Sequence, residues 1–239
     1  MAFGFASQMG YDRAITVFSP EGKLYQVEYA FEAVKRGWST VGIKCKEGVA
    51  VAVERKKVQP LIDFERLEKI FFIDKHIISS FAGLAADGRV LVEVARKAAL
   101  NYRFVYDEPA PVEYVTRAVS DLKQAYTQHG GVRPFGVALI IAGVDEEPQL
   151  FMTEPSGQYM SYMAVAIGQN QSQIMDYLEE EYKYDISLND AIKLILKALI
   201  KVGEGEKRPE SFEVGVVPAD TKVARKLSKE EIAKLLEEL

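Results

Sequence analysis

The feature that most restricts the fold of this chain is the order of its paired strands and paired helices. Two β-hairpin patterns come first: STVGIKC with VAVAVER, joined at Lys46–Gly48, and KIFFID with HIISSF, joined at Asp74-Lys75. Two long helical patterns follow, then a second block of strands (FGVALIIAGV, PQLFMTE, QYMSY, MAVAIG), and then helices over about 170–182 and 188–202. Short turns favour antiparallel pairing, and strands that are apolar at consecutive positions need cover on both faces. The order therefore predicts two stacked antiparallel sheets with helices packed outside them.

Composition narrows the class of protein. The 239 residues are 48% hydrophobic, which suits one large domain. The net charge of -5, with both signs interspersed, argues against a nucleic-acid partner. No apolar stretch reaches the roughly 18–20 residues that cross a bilayer, and the start lacks the charged and apolar regions of a signal peptide. The single cysteine, Cys45, is expected to be a small core residue, and a cytoplasmic location is predicted.

The first helical pattern lies close to the start and is apolar on more than one side. Ser19 is the expected N-cap and Pro20 the first helical residue, and Gly37 ends a helix over about 20–36. Residues 1–13 before it are expected to form a flexible tail, and 14–239 a single domain. One helix face carries Leu24, Val27, Phe31 and Val34, and a neighbouring face carries Tyr25, Tyr29 and Ala33. Either the helix is wedged deep in its own domain, or one face contacts a neighbouring protomer; the second interpretation is favoured.

These residues carry a resemblance to a known family. YDRAITVFSPEGKLYQVEYAFEAVKRG resembles the N-terminal signature of proteasome α subunits, and GGVRPFGVALIIAG and TVGIK fit the same family, most closely its archaeal type. The resemblance implies an α+β fold, the four-layer αββα sandwich of N-terminal nucleophile hydrolases. It also implies a seven-membered outer ring of α subunits, stacked on β subunits whose assembly it templates. The first helix would then lie between neighbouring α subunits.

The resemblance further implies two non-catalytic sites. Residues 1–13 would form a gate over the axial pore that controls entry of unfolded polypeptide. Tyr11, Asp12, Pro20 and Tyr29 match the cluster that holds the gate open, and Arg13 is counted with them. A pocket between neighbouring subunits would accept the C-terminal tails of an ATPase or other activator. Its matching residues are Lys69, Gly37, Gly83 and Leu84, where the lysine would pair with a terminal carboxylate.

Catalysis is not expected. The family's catalytic β subunits attack with an N-terminal threonine, and the matching position here is Trp38, which cannot attack a carbonyl. Glu54 and Lys69 match the carboxylate and the lysine of that site, but they make no enzyme without the nucleophile. The bulky Trp38 also departs from the small residue common in archaeal relatives, and Glu54 stands in a stretch where an aspartate-containing pattern is expected.

Other candidates have structural interpretations. Arg133 is expected to form an ion pair within or between subunits, with a partner that the sequence does not name. His76 and His129 are expected to be structural, and no metal or cofactor is predicted. Two alternatives stay open: a self-processing N-terminal nucleophile hydrolase, in which cleavage before Ser39 frees a hydroxyl, and a free-standing ring with a chaperone-like or binding role.

Overall fold

The computed structural model describes residues 14–56, 61–203 and 208–239. The strands in these ranges are β1 Thr40–Cys45, β2 Gly48–Glu54, β3 Ile70–Asp74, β4 Ile77–Gly83, β5 Val137–Val144, β6 Pro148–Thr153, β7 Tyr159–Ser161, β8 Ala164–Ile167, β9 Phe212–Pro218 and β10 Arg225–Lys226. The α-helices are α1 Tyr25–Lys35, α2 Ala85–Tyr106, α3 Val112–Ala125, α4 Gln171–Glu181, α5 Leu188–Val202 and α6 Lys229–Glu237. Short 3₁₀ turns lie at Phe64–Arg66 and Pro209–Ser211. None of the described helices combines the length and apolarity needed to span a bilayer.

The strands form two five-stranded antiparallel sheets. The first has the order β10-β9-β2-β1-β8, and the second has the order β3-β4-β5-β6-β7. Both predicted hairpins are present, with Gly42 opposite Val51 in one and Ile70 opposite Ser80 in the other. The predicted fold class, an α+β sandwich of two antiparallel sheets, is confirmed.

The hydrophobic core consists of three clusters of buried apolar residues, which lie between successive layers of helices and sheets. One cluster joins α4, α5 and α6 to the outer face of the first sheet, and it includes Cys45, which is fully buried as predicted. A second cluster lies between the sheets, and a third joins α2 and α3 to the second sheet. All eight residues of β5 are buried, because this strand is covered by the other sheet on one face and by helices on the other. Helix, sheet, sheet and helix therefore follow one another as four layers.

Two details of the sequence prediction are wrong. Helix α1 begins at Tyr25 rather than at Pro20, because Ser19, Pro20 and Glu21 belong to a turn that Gly22 closes with a 2.8 Å bond from its N–H to the Ser19 carbonyl. Gly22 has φ +78°, which interrupts helical geometry before α1 starts. The strands β7 and β8, predicted as one block, belong to different sheets: β7 pairs with β6, and β8 pairs with β1.

Lys123 is an unexpected component of the core beneath α3. Its side chain is fully buried, and its Nζ donates to the carbonyl oxygen (3.0 Å) and the hydroxyl (3.3 Å) of Thr153. Ser120 donates to the same hydroxyl at 2.9 Å. Burial holds the pKa of Lys123 well below its ordinary value, although the Glu154 carboxylate acts in the opposite direction. Position 123 follows the helical spacing of the buried Val112, Val115 and Val119, which explains its place in the core.

Replacing Lys123 with methionine is expected to flatten the dependence of folding stability on pH. Below the ordinary lysine pKa of about 10.4 the unfolded chain carries the Lys123 proton, whereas burial disfavours this proton in the folded chain, so the residue makes stability rise with pH by at most about 1.4 kcal/mol per unit. Denaturant unfolding of Lys123→Met at several pH values would measure the loss of this slope. Lys97→Met, at an exposed position of α2, is the matched control and should keep the slope. An unchanged slope in Lys123→Met would contradict the prediction.

Candidate functional site

Four glycines meet where α1 ends, β4 ends, β5 begins and β8 ends; we call this the glycine junction (Gly37, Gly83, Gly136 and Gly168). A Cβ built on Gly37 would lie 2.3 Å from the backbone nitrogen of Gly83, and one built on Gly83 would lie 2.2 Å from the carbonyl oxygen of Gly136. A Cβ on Gly168 would lie 2.8 Å from the Gly37 carbonyl oxygen. Only glycine permits this approach, so the junction brings bare backbone close to the surface beside Leu84, which is 45% exposed.

Lys69 lies beside this junction, immediately before β3. Its backbone is fixed on both sides: its N–H donates to the Glu213 carboxylate (2.8 Å), and its carbonyl oxygen accepts from the Ser80 hydroxyl (2.7 Å). Its Nζ lies 4.1 Å from the ring centre of Phe81 and 5.3 Å from the ring centre of Trp38, both within cation–π range. Burial lowers the pKa of Lys69 to about 8, with the Glu213 charge acting against the shift.

The Lys69 ammonium has aromatic neighbours but no anionic partner. Among the residues that the structure describes, no carboxylate lies within ion-pair distance of its Nζ, and no group accepts a hydrogen bond from it. Glu213, the nearest source of negative charge, is instead paired with Lys226 at 2.9 Å. Such a cation attracts an anionic group from another molecule, because a partly desolvated charge gains most from a hydrogen-bonded counter-ion.

Trp38, which the sequence resemblance matches to the catalytic threonine, has neighbours that form structural hydrogen bonds. The Trp38 carbonyl accepts from the Thr40 hydroxyl at 3.2 Å. The next residue, Ser39, is 1% exposed, and its hydroxyl donates to the Gln169 carbonyl at 2.8 Å. Glu54 is buried at the end of β2, where its N–H donates to the Ser39 carbonyl at 3.0 Å. The structure brings Trp38 and Lys69 together as the motif implies, but the arrangement offers an indole where a nucleophile would be needed.

Arg133 has a partner within the same chain. Its guanidinium forms a bidentate pair with Asp87 in the first turn of α2, at 2.7 and 2.8 Å. The same carboxylate accepts from the Gly136 N–H at 2.9 Å, so the pair anchors α2 to the glycine junction. The Arg133 hydrogen bonds hold the pKa of Asp87 below its usual value, although burial acts against this shift. Asp87, Phe81 and Glu213 are the residues of this region that the sequence alone did not single out.

The predicted gate residues fall partly outside the described ranges. Tyr11, Asp12 and Arg13 lie there, so their part of the cluster stays a prediction. Pro20 is exposed in the turn before α1, and Tyr29 is 50% exposed on α1. The buried residues of α1 are Val27, Ala30 and Val34, so the helix rests on its own domain by one face only. Its remaining apolar side chains, Tyr25 and Phe31 among them, are partly exposed.

A separate cavity of about 470 Å³ lies at the other end of the second sheet. It is lined by residues such as His76, Arg103 and Lys222, far along β3 and β4 from Lys69. The His76 Nε2 lies 2.9 Å from the Ala110 carbonyl oxygen, and the His129 ring contacts the Ala125 carbonyl. Both histidines therefore contact backbone. Within residues 14–56, 61–203 and 208–239, no three His, Cys, Asp or Glu side chains are grouped as a metal site.

Comparison with known proteins assigns this architecture to a family. A family model for proteasome subunits matches residues 34–217, and a model for the N-terminal signature of A-type proteasome subunits matches residues 11–33. The chain is 54% identical to the proteasome alpha subunit of Saccharolobus islandicus (strain L.S.2.15), 53% identical to that of Saccharolobus solfataricus and 54% identical to that of Sulfolobus acidocaldarius. Each alignment covers 100% of this chain and 100% of the relative. The resemblance to archaeal α subunits inferred from the sequence is confirmed.

Proposed function

Because the chain belongs to the proteasome subunit family and matches its α subunits over its whole length, we propose that it builds, gates and provides the docking surface of the outer ring of a proteasome core particle. Like the α subunits that it matches it is non-catalytic, and it assembles with other proteasome subunits. In the proposed particle, seven copies form each outer ring, template the assembly of β subunits and admit unfolded polypeptide. The proposed compartment is the cytoplasm.

The observation that carries this proposal is the contact between Trp38 and Lys69. The position at which a nucleophile would stand holds an indole, 5.3 Å from the Lys69 ammonium. Among the described residues, the site therefore has a desolvated cation but no hydroxyl or thiol at the position of the nucleophile. Below a pH of about 8 the lysine is an ammonium, which is suited to binding a carboxylate.

Activator docking follows from the surroundings of Lys69. A C-terminal tail ends in a carboxylate, which can pair with the Lys69 ammonium. The glycine junction beside it lets the backbone of a tail approach, because Gly37 and Gly83 carry no side chain. The exposed Leu84 offers an apolar contact next to this backbone. These features support an ATPase or another activator with C-terminal tails as the partner.

Two exposed apolar surfaces support assembly. The first is the outward side of α1, with Tyr25, Tyr29 and Phe31. The second is the C-terminal end of α2, where Leu100, Phe104, Val105 and Tyr106 are between 60% and 89% exposed. Large apolar surface of this kind is usually covered by a partner, and neighbouring α subunits and β subunits are the proposed partners here.

Deleting residues 2–12 is expected to raise the peptide hydrolysis of the assembled particle about tenfold, and to make it insensitive to an activator. The deletion removes the proposed gate but leaves α1, which begins at Tyr25, and the Lys69 pocket intact. The measurement is the rate of fluorogenic peptide cleavage by particles reconstituted with β subunits, with and without the activator. Wild-type particles should be slow alone and fast with activator.

The control carries Lys97→Met, a change at an exposed position of α2 outside the tail, and should keep the basal rate low. Equal rates for the 2–12 deletion and wild type would show that the tail is not a gate. Peptide cleavage by this chain without β subunits would favour the nucleophile hydrolase alternative, and stable rings that bind no β subunits would favour a free-standing ring.

A further inference from the structure

We propose that Trp38 is the positioning residue of the Lys69 pocket, which holds the ammonium in place and sets the pH above which a terminal carboxylate is no longer bound. The inference rests on the proposed docking function and assigns Trp38 a role within that same site. Trp38 is the one tryptophan of the chain, and its ring centre lies 5.3 Å from the Lys69 Nζ.

The backbone of Trp38 is held on both sides. Its carbonyl oxygen accepts from Thr40 at 3.2 Å, and the backbone of Gly168 packs against the same oxygen so closely that a Cβ there would lie 2.5 Å from it. Gly37 before it is locked against Gly83, and Ser39 after it donates to Gln169. Because the backbone of Trp38 is fixed, its indole has few possible orientations. The contact between the indole and Lys69 is therefore determined by the fold.

The indole completes an aromatic enclosure around the Lys69 ammonium. Phe81 contributes the other ring, and it is itself stacked on Phe71 with a centroid distance of 5.6 Å. Two rings supply favourable quadrupole contacts to the cation, but they offer it no hydrogen-bond acceptor. The ammonium is thus oriented without being neutralised, which leaves its donors available to an incoming carboxylate.

The charged groups around the pocket do not replace such a carboxylate. Glu213 on β9 accepts from the Lys69 and Ile70 N–H groups and pairs with Lys226 on β10 at 2.9 Å. Lys226 also pairs with Glu68 at 3.0 Å. From the end of β2, the Arg55 guanidinium donates to the Leu67 and Glu210 carbonyls. The negative charges near Lys69 are therefore engaged with other donors.

The protonation state of Lys69 then limits docking. Burial lowers its pKa to about 8, and Glu213 opposes this shift only in part. Only the ammonium form pairs with a carboxylate, so affinity is close to its full value at pH 7 and falls as the pH rises through about 8. Removing the indole admits water, which returns the lysine pKa toward its ordinary value and extends docking to higher pH.

The experiment uses the full chain assembled with β subunits and a short synthetic peptide with leucine residues near its C-terminus, which can contact Leu84. The peptide is labelled and is used with a free C-terminal carboxylate and as its amide. Binding is measured from pH 7 to pH 9 for wild type, Trp38→Ser and Trp38→Phe. Wild-type affinity for the carboxylate form should fall about tenfold over this range, because a lysine of pKa about 8 loses most of its charge there.

Trp38→Ser should bind about fivefold more weakly at pH 7 and change by less than about twofold up to pH 9. Trp38→Phe keeps an aromatic wall and should restore most of the wild-type profile. In wild type without peptide, the emission of Trp38 should titrate near pH 8, and Lys69→Met should abolish that titration. These readouts report on the Trp38–Lys69 contact itself and would not follow from a general loss of structure.

The possible failures are distinguishable. Equal binding of the carboxylate and the amide by wild type would overturn the docking function, and this inference with it. Discrimination between the two peptides, with the same pH profile in wild type and Trp38→Ser, would overturn the role of Trp38 alone. Loss of binding at every pH in both Trp38 variants would also contradict it, because Trp38→Phe should then have restored the pocket.

Discussion

Particles that carry Lys69→Ala should lose stimulation by an activator while their basal peptide hydrolysis stays unchanged. Lys69 is the proposed partner of the tail's terminal carboxylate, and its removal leaves that carboxylate without a counter-ion among aromatic rings. Loss of one partner of such a charge pair costs about 2–5 kcal/mol, or at least roughly thirtyfold in affinity for each tail. In the proposed ring every subunit presents the same pocket, so an activator that binds through several tails should lose more affinity than a single tail does.

Two further variants separate charge from packing. Lys69→Met keeps an unbranched apolar stem beside Trp38 and Phe81, and should lose stimulation as fully as the alanine variant. Lys75→Ala removes an exposed lysine from the opposite end of β3 and is the matched control. For all three variants, stimulation is measured as the ratio of the peptide cleavage rates with and without activator. Stimulation of Lys69→Ala at the wild-type level would show that Lys69 does not hold the tail.

Replacing Gly83 with alanine should destabilise the folded chain by about 3 kcal/mol or more and remove the docking surface with it. Gly83 has φ +118°, and a Cβ would lie 2.2 Å from the Gly136 carbonyl oxygen and 3.0 Å from the Val137 Cα. Both are backbone atoms that cannot move aside, so β4 and β5 must separate. The hydrogen bond from the Leu84 N–H to the same Gly136 oxygen, 2.9 Å long, would be strained as well.

The control for Gly83 is another glycine with positive φ. Gly131 has φ +84° but no atom within 4 Å of a built Cβ, so Gly131→Ala carries only the conformational cost of about 1 kcal/mol. Denaturant unfolding of the two variants measures the difference, which is the cost of the close approach at the glycine junction. Equal destabilisation would mean that the junction is not tightly packed.

Much of the fold could be predicted from local patterns because its strands are joined by short turns. The turns at Lys46–Gly48 and Asp74–Lys75 fix antiparallel pairs, and the continuous burial of β5 follows from its unbroken apolar run. The start of α1 could not be predicted correctly, because Ser19-Pro20-Glu21 matches a helix N-terminus in sequence. In the structure the Ser19 hydroxyl instead accepts from the Lys23 N–H within a separate turn.

Only those residues of the candidate site that match the family motif could be predicted from the sequence. The motif named Lys69, Gly37, Gly83 and Leu84, and the structure places them around one junction. It could not name Asp87 as the partner of Arg133, because 46 residues separate the two and only tertiary packing joins them. Likewise a lysine in the core is not expected from its residue type, yet Lys123 is more deeply buried than its neighbour Leu122, since its amine finds acceptors on Thr153.

The central claim is that this chain forms a ring and gates it without catalysing proteolysis. Native mass spectrometry of the chain expressed alone, with a peptidase assay on the same sample, tests it most directly. The account predicts a sevenfold multiple of the intact 26.7 kDa chain and no hydrolysis, with activity present once β subunits are added. A chain shortened to begin at Trp38 or Ser39, with peptidase activity of its own, would contradict it.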